Sequence, residues 1–230
     1  MLRAVCDAQA DAGIALDGDG DRLIMVDADG EIVDGDELTF IIARRRQNTG
    51  ALAGGVVGTH MSNLGLEQAI KTLGLGFKRA KVGDRYIMEM LQKDGWSLGG
   101  ESSGHIICLD LTTTGDGIIS ALQVLETMVC SAQPLNELKR GMTKYPQTLI
   151  NVRMEEKVDV LSLPEVARAV AAAEARLADS GRVLLRPSGT EPVVRVMVEG
   201  RDRAVVDELA NELAREVQKA ARQASAGAAA

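Results

Sequence analysis

The sequence predicts a mixed-sheet α/β domain followed by a small C-terminal α+β domain. Two observations carry this expectation. Short apolar runs alternate with helix-period segments up to about residue 131, the pattern of a parallel or mixed sheet covered on both faces. After a stretch punctuated by Pro134, Gly141 and Pro146, five more elements follow in the order β-α-β-β-α. Composition agrees: 230 residues, 46% hydrophobic and 26% charged, suffice for a buried core in one large or two smaller domains. A net charge of -7 and only 2% aromatic residues argue against a general binder of nucleic acid or membrane surfaces. The three cysteines, Cys6, Cys108 and Cys130, are far apart and form no CxxC, as expected of reduced thiols in a cytoplasmic protein. No signal-peptide profile and no charge-free stretch of transmembrane length is present.

The elements follow in order. "LRAVCDAQA" has helical spacing and is expected to stop at Gly13; it reads as the last turns of a helix that follows an earlier strand. "GIALD" reads as a short strand of an α/β sheet, and "LIMVDADGEIVDGD" as two strands about an Asp-Gly turn. A helix is expected from about Asp36 through "ELTFIIARRRQ", whose arginines suit a solvated helix end. "GGVVGT" reads as a buried strand, "NLGLEQAIKTLG" and "GDRYIMEMLQKDG" as helices, "WSLGGE" and "HIICLD" as strands, and "GDGIISALQVLETMVCS" as a long helix. "AQPLNELKRGMTKYPQ" reads as a linker. In the C-terminal part, "TLINVRM", "RVLLRPSG" and "EPVVRVMVEG" read as strands. "PEVARAVAAAEARLADSG" reads as a helix from Pro164 to Gly181, "DRAVVDELANELAREVQKAARQ" as the final helix, and "ASAGAAA" as a frayed tail.

Three loops carry chemistry. In "DGDGDR", Asp17, Asp19 and Asp21 converge if the segment is extended, and Gly18 and Gly20 let it fold tightly. Three aligned carboxylates call for a hard cation. An EF-hand fails, because its sixth and twelfth positions would be Arg22 and Ala28. Mg²⁺ sharing its shell with phosphate fits better, with Arg22 facing the same phosphate. The alternative is an acidic solvent turn. In "GGESSGH", residues 99–105, Gly100, Ser102 and Gly104 match G-x-S-x-G. A hydrolase elbow needs a helix after the serine and a histidine well downstream, and neither is found. Glu and Ser in such a loop instead suit adjacent hydroxyls of a sugar; a plain hairpin loop is the competing reading. In "RPSGTEP", residues 186–192, Ser188, Gly189 and Thr190 offer hydroxyls and successive amides to an anion. Arg186 and Arg195 flank them with forks that match phosphate oxygens. A simple turn is the bland reading there. His60 has no assigned role, and no Walker A or GxGxxG motif indicates a nucleotide.

Together the three loops resemble the metal, sugar-specificity and phosphate loops of the α-D-phosphohexomutase superfamily, in that family's order. "VGTHMSNLGLE", "KVGDRY" and "TTTGDG" look most like its bacterial phosphoglucosamine mutase branch. The resemblance covers nearly the whole chain and implies the end of a metal-binding second domain over residues 1–35. It further implies a sugar-binding α/β third domain over 36–143 and a phosphate-binding fourth domain with a disordered tail over 144–230. The family's first domain carries a phosphoserine loop for which this sequence has no counterpart. The implied activity is Mg²⁺-dependent interconversion of glucosamine 6- and 1-phosphate through a bisphosphate, with this chain inactive alone. Phosphomannomutase or phosphoglucomutase specificity, and a non-catalytic sugar-phosphate-binding module, stay open.

The resemblance implies Mg²⁺ on Asp17, Asp19 and Asp21, and Arg22 steadying the transferring group. Glu101, Ser103 and His105, with Asp84 and Arg85 of the "VGDRY" loop, would face substrate, and Arg186, Ser188, Gly189, Thr190 and Arg195 would grip the phosphate. The implied partners are a hexosamine phosphate and the phosphoserine domain. An unpaired sheet edge near the N-terminus also offers a route to a homodimer.

Overall fold

A computed structural model describes residues 1–155, 159–188 and 191–228. The chain divides into two compact units, Met1–Lys144 and Tyr145–Ala230. Residues 1–35 are part of the first unit.

The first unit opens with α1 (Leu2–Ala8), which ends at Gln9 in the left-handed conformation (φ 48°), short of the expected stop at Gly13. β1 (Ala12–Leu16) pairs antiparallel with β2 (Leu23–Asp27), and β3 (Ile32–Val33) closes a sheet of order β1-β2-β3. β1 is therefore one arm of a hairpin rather than a strand of the α/β sheet. Its outer edge leaves Ile14 and Leu16 exposed.

α2 (Gly35–Thr49) begins at a complete capping box. The Asp34 carboxylate accepts from the Asp36 and Glu37 amides, and the Glu37 carboxylate accepts from the Asp34 amide. A four-stranded sheet follows in the order β5-β4-β6-β7. β4 (Val56–Thr59) runs parallel to β5 (Phe77–Ala80) and β6 (Leu98–Gly100), and β7 (Ile106–Cys108) returns antiparallel to β6. α3 (Leu64–Thr72) and α4 (Asp84–Asp94) make the crossovers, and α5 (Gly117–Ser131) follows β7. The core between α2, α3, α5 and the two sheets includes Leu23, Met25, Leu38, Phe40, Ile41 and Ile70.

Three local expectations fail, each for a tertiary reason. β5 was not anticipated, because "FKRA" carries two cations. Both are neutralised: Lys78 pairs with Asp94 at 2.7 Å, and Arg79 pairs with Glu67 at 2.9 Å while donating to the Thr59 and Ser62 carbonyls. The arginines of α2 are not a solvated end. Arg44 donates to the Leu138 and Arg140 carbonyls, and Arg46, only 5% exposed, donates to Asp110 at 2.8 Å and Gln123 at 3.0 Å. The expected linker is packed: α6 (Leu135–Leu138) buries Leu135 and Leu138, Met142 is buried behind it, and Lys139 pairs with Asp27 and Glu31.

The second unit has the expected order β-α-β-β-α. β8 (Gln147–Arg153), β10 (Val193–Gly200) and β9 (Gly181–Pro187) form an antiparallel sheet with β10 central. α7 (Pro164–Leu177) starts with proline in its first turn, where no amide donor is needed. It stops before Gly181, which begins β9 after a 3-10 turn. α8 (Arg203–Ala228) runs beyond the expected fraying point at Ala224, in keeping with the high helix propensity of alanine. Val194, Val196 and Val198 of β10 meet Val206, Leu209 and Leu213 of α8 in a separate core.

Candidate functional site

The acidic loop connects β1 to β2. It is bent rather than extended, with Gly20 at φ 75°, so its carboxylates converge through the turn and not through strand alternation. Ligand atoms from Asp17, Asp19 and Asp21 lie within 4.8 Å of one another. The Arg22 amide donates to Asp17 Oδ1 at 3.2 Å, and the Arg22 Nε lies 3.8 Å from Asp17 Oδ2 and 4.0 Å from Asp21 Oδ1. Desolvation raises the Asp17 pKa, but the Arg22 amide, the contact with Asp21 and the Arg22 charge outweigh it and hold Asp17 below its usual range. Asp21 Oδ1 is buried without a hydrogen-bond partner. Three convergent carboxylates, one of them with an orphaned oxygen, fit a hard divalent cation.

The "GGESSGH" loop leaves β6 at the C-terminal end of the parallel strands, where open α/β sheets place their ligands. It is bonded directly to the acidic loop and to the start of α2. The Leu23 amide donates to the Gly104 carbonyl at 3.0 Å, the Gly35 amide donates to the Ser102 carbonyl at 3.2 Å, and Arg22 bridges His105. Glu101 Oε1 accepts from the Gly83 amide at 2.9 Å, which joins the "VGDRY" loop to the same block; Ser103 Oγ lies 3.4 Å from Glu101 Oε2. Asp84 is exposed at the start of α4. Arg85 is exposed, pairs with Glu89 one turn along its own helix at 2.9 Å and lies over the Tyr86 ring.

His105 is only 3% exposed, and its Nδ1 lies 3.0 Å from Asp21 Oδ2. Its ring is covered by Gly115, where any β-carbon would come within 2.2 Å of Nε2. The Gly117 amide in turn donates to the Gly20 carbonyl at 2.9 Å. Gly35, Gly115 and Gly117 were not singled out from the sequence. Their signal was the absence of a side chain where two loops approach; at Gly35 a β-carbon would meet the Glu101 carbonyl at 2.0 Å.

In the second unit, Arg186 on β9 and Arg195 on β10 are directly opposed register partners. Neither has a carboxylate partner among the described residues. Like charges facing across a strand pair repel unless an anion lies between them. The loop between them is closed at its base, where the Ser188 amide donates to the Val193 carbonyl at 2.8 Å. Ser188 Oγ accepts from the Glu191 amide at 3.2 Å. Gly189 and Thr190, expected to contribute to this loop, lie outside the described residues.

Residues 34–145 match the family model for the phosphoglucomutase/phosphomannomutase alpha/beta/alpha domain III, and residues 149–216 match that for the phosphoglucomutase/phosphomannomutase C-terminal domain. The chain is 64% identical over 220 residues to a phosphoglucosamine mutase of Methylococcus capsulatus, covering 96% of this chain and 49% of that protein. It is 57% identical to one of Aeromonas hydrophila, covering 96% and 50%. The chain thus spans about half the length of the relatives it matches. Among solved structures, a phosphoglucomutase/phosphomannomutase family protein of Burkholderia thailandensis is similar at TM-score 0.78 and 24% identity, over 95% of this chain and 49% of that one. An Aspergillus fumigatus N-acetylphosphoglucosamine mutase, solved with GlcNAc-6P and magnesium, is similar at TM-score 0.76 and 24% identity, over 90% and 48%. These last two likenesses show the fold.

Proposed function

The chain belongs to the phosphoglucomutase/phosphomannomutase family, and from that premise we propose that it supplies the metal, sugar and phosphate loops of a phosphoglucosamine mutase. The observation that carries this reading is the bonded block in the first unit. Three convergent carboxylates and Arg22 are tied, through Gly104 and His105, to a loop presenting Glu101 and Ser103. The identity of 64% to a phosphoglucosamine mutase favours a hexosamine phosphate over mannose or glucose phosphate.

Asp17, Asp19 and Asp21 would hold Mg²⁺, which when bound supplies positive charge against the phosphoryl group being transferred. The Arg22 guanidinium, kept beside the loop by Asp17 and Asp21, adds a second positive charge for that group. Glu101 fixes the "VGDRY" loop through Oε1 and keeps Oε2 for a sugar hydroxyl, with Ser103 Oγ beside it as donor or acceptor. Arg186 and Arg195 bind the phosphate that does not react, and Ser188 steadies their loop. The phosphoserine that exchanges the phosphoryl with the sugar would come from the part of the relatives that this chain does not match. A cytoplasmic location fits the three free thiols, and no helix among the described residues is long and apolar enough to cross a membrane.

The test is a chimera that joins this chain in frame to the N-terminal half of the Methylococcus capsulatus relative. It should convert glucosamine 6-phosphate to glucosamine 1-phosphate, and this chain alone should not. Turnover by the chain alone at the chimera's rate, or a chimera that uses mannose 6-phosphate instead, would contradict the reading.

A further inference from the structure

We propose that the groove between the outer edge of β5 and helix α4 is a docking site for an extended acidic peptide segment, which adds to β5 as a further strand. β5 stands at one end of its sheet, with β4 as its neighbour. The Val56 amide donates to the Gly76 carbonyl at 2.9 Å, and the His60 amide donates to the Ala80 carbonyl at 3.0 Å. In a parallel pair every second residue turns both its amide and its carbonyl to the neighbouring strand. Positions 76, 78 and 80 therefore serve β4, and the amide and carbonyl of Phe77 point to the outer edge. Main-chain groups at such an edge are a template for another strand.

Beside this edge lies a hollow of about 440 Å³. Lys78 and Ala80 reach it from the strand, and Tyr86, Glu89, Met90 and Lys93 reach it from α4 at helical spacing. Met90 and the Tyr86 ring give it an apolar lining, and its rim is cationic. Lys78 pairs with Asp94 at 2.7 Å, and Glu89 is taken by Arg85 at 2.9 Å. Lys81 and Lys93, both exposed, are left with no carboxylate partner among the described residues, and Lys81 lies over the Tyr86 ring at 5.7 Å. Unmatched positive charge on a chain of net charge -7 selects an acidic occupant. Lysines that only guard an edge against pairing need no hollow behind them. Here alternate side chains of an added strand find both space and apolar surface.

The experiment follows the fluorescence anisotropy of a fluorescein-labelled octapeptide that alternates glutamate and valine, titrated with the purified chain. Saturable binding is expected. N-methylation of alternate peptide amides, which removes donors to the β5 edge, should weaken it about 10-fold or more. Lys93→Glu should weaken it at least about 5-fold and Lys93→Gln by less, with both variants folded by circular dichroism. No saturable binding to the folded chain overturns the proposal. Equal affinity for the N-methylated peptide, or for a labelled single-stranded DNA, also overturns it, because a plain cationic patch would behave so. Binding that Lys93→Glu leaves unchanged removes the peptide from this groove. A chain that dimerises in sedimentation and loses the dimer on adding peptide gives the groove to a second copy instead.

Discussion

Gly104 passes directly against Leu23. The Leu23 amide donates to the Gly104 carbonyl at 3.0 Å, and a β-carbon on Gly104 would lie 2.0 Å from the Leu23 carbonyl oxygen. This contact welds the "GGESSGH" loop to the first residue of β2, just beyond the acidic loop. Gly104 also has φ 97°, a conformation that side chains disfavour.

Gly104→Ala should therefore destabilise the first unit by about 3 kcal/mol or more, from backbone strain plus a clash with main chain. Gly18→Ala, in the acidic loop, meets nothing within 4 Å and should cost less than about 1 kcal/mol. Urea unfolding of the two variants gives the comparison; equal losses would deny that the loops are joined at Gly104.

Asp36 should make stability fall as pH rises. Burial, with repulsion from Asp34, pushes its carboxyl up to about 7, against the amide of Asn63, Ser62 and Lys144, which pull it down. Between about pH 4 and pH 7 the unfolded chain ionises this group while the folded chain keeps it protonated, so this contribution to stability declines across that window and is flat above it. Asp36→Asn keeps an oxygen for the Asn63 amide and removes the ionisation. It should gain on the order of 1–2 kcal/mol over wild type at pH 8, with the gap closing toward pH 4. Urea midpoints at several pH values check this, and a gap that widens on acidification would contradict it.

Lys139→Met should cost about 2–3 kcal/mol. It strips the ion-pair partner at 2.7 Å from Asp27, a carboxylate with no exposed surface. The loss is moderated because Asp27 Oδ1 still accepts from the Asp29 and Glu31 amides. Asp27→Asn combined with Lys139→Met should recover part of the stability, as seen in thermal unfolding; no recovery would mean that the buried charge is not the cause.

The loops could be read in the sequence because each is a short contiguous string whose residue types state their chemistry. Asp17, Asp19 and Asp21 act as neighbours in the chain and in space, and so do Glu101 and Ser103. What could not be read was set by residues far apart. Arg46 meets Asp110 across 64 positions, Lys139 meets Asp27 across 112, and His105 meets Asp21 across 84. Local pattern made the first a solvated helix end and the second part of a linker, and it gave no sign that the third meets Asp21. Each is a buried or half-buried partner of a distant carboxylate. β5 was hidden for the same reason, because its cations read as polar until Glu67 and Asp94 are brought to them.

The ligand proposed for this chain is a hexosamine phosphate. Titration calorimetry of the purified chain with glucosamine 1-phosphate in the presence of Mg²⁺ tests it most directly. Saturable one-to-one binding is expected, weakened at least about 10-fold by Arg186→Ala through loss of a bidentate charge-assisted contact. No binding by a folded wild-type chain, or binding that Arg186→Ala leaves unchanged, would contradict the account.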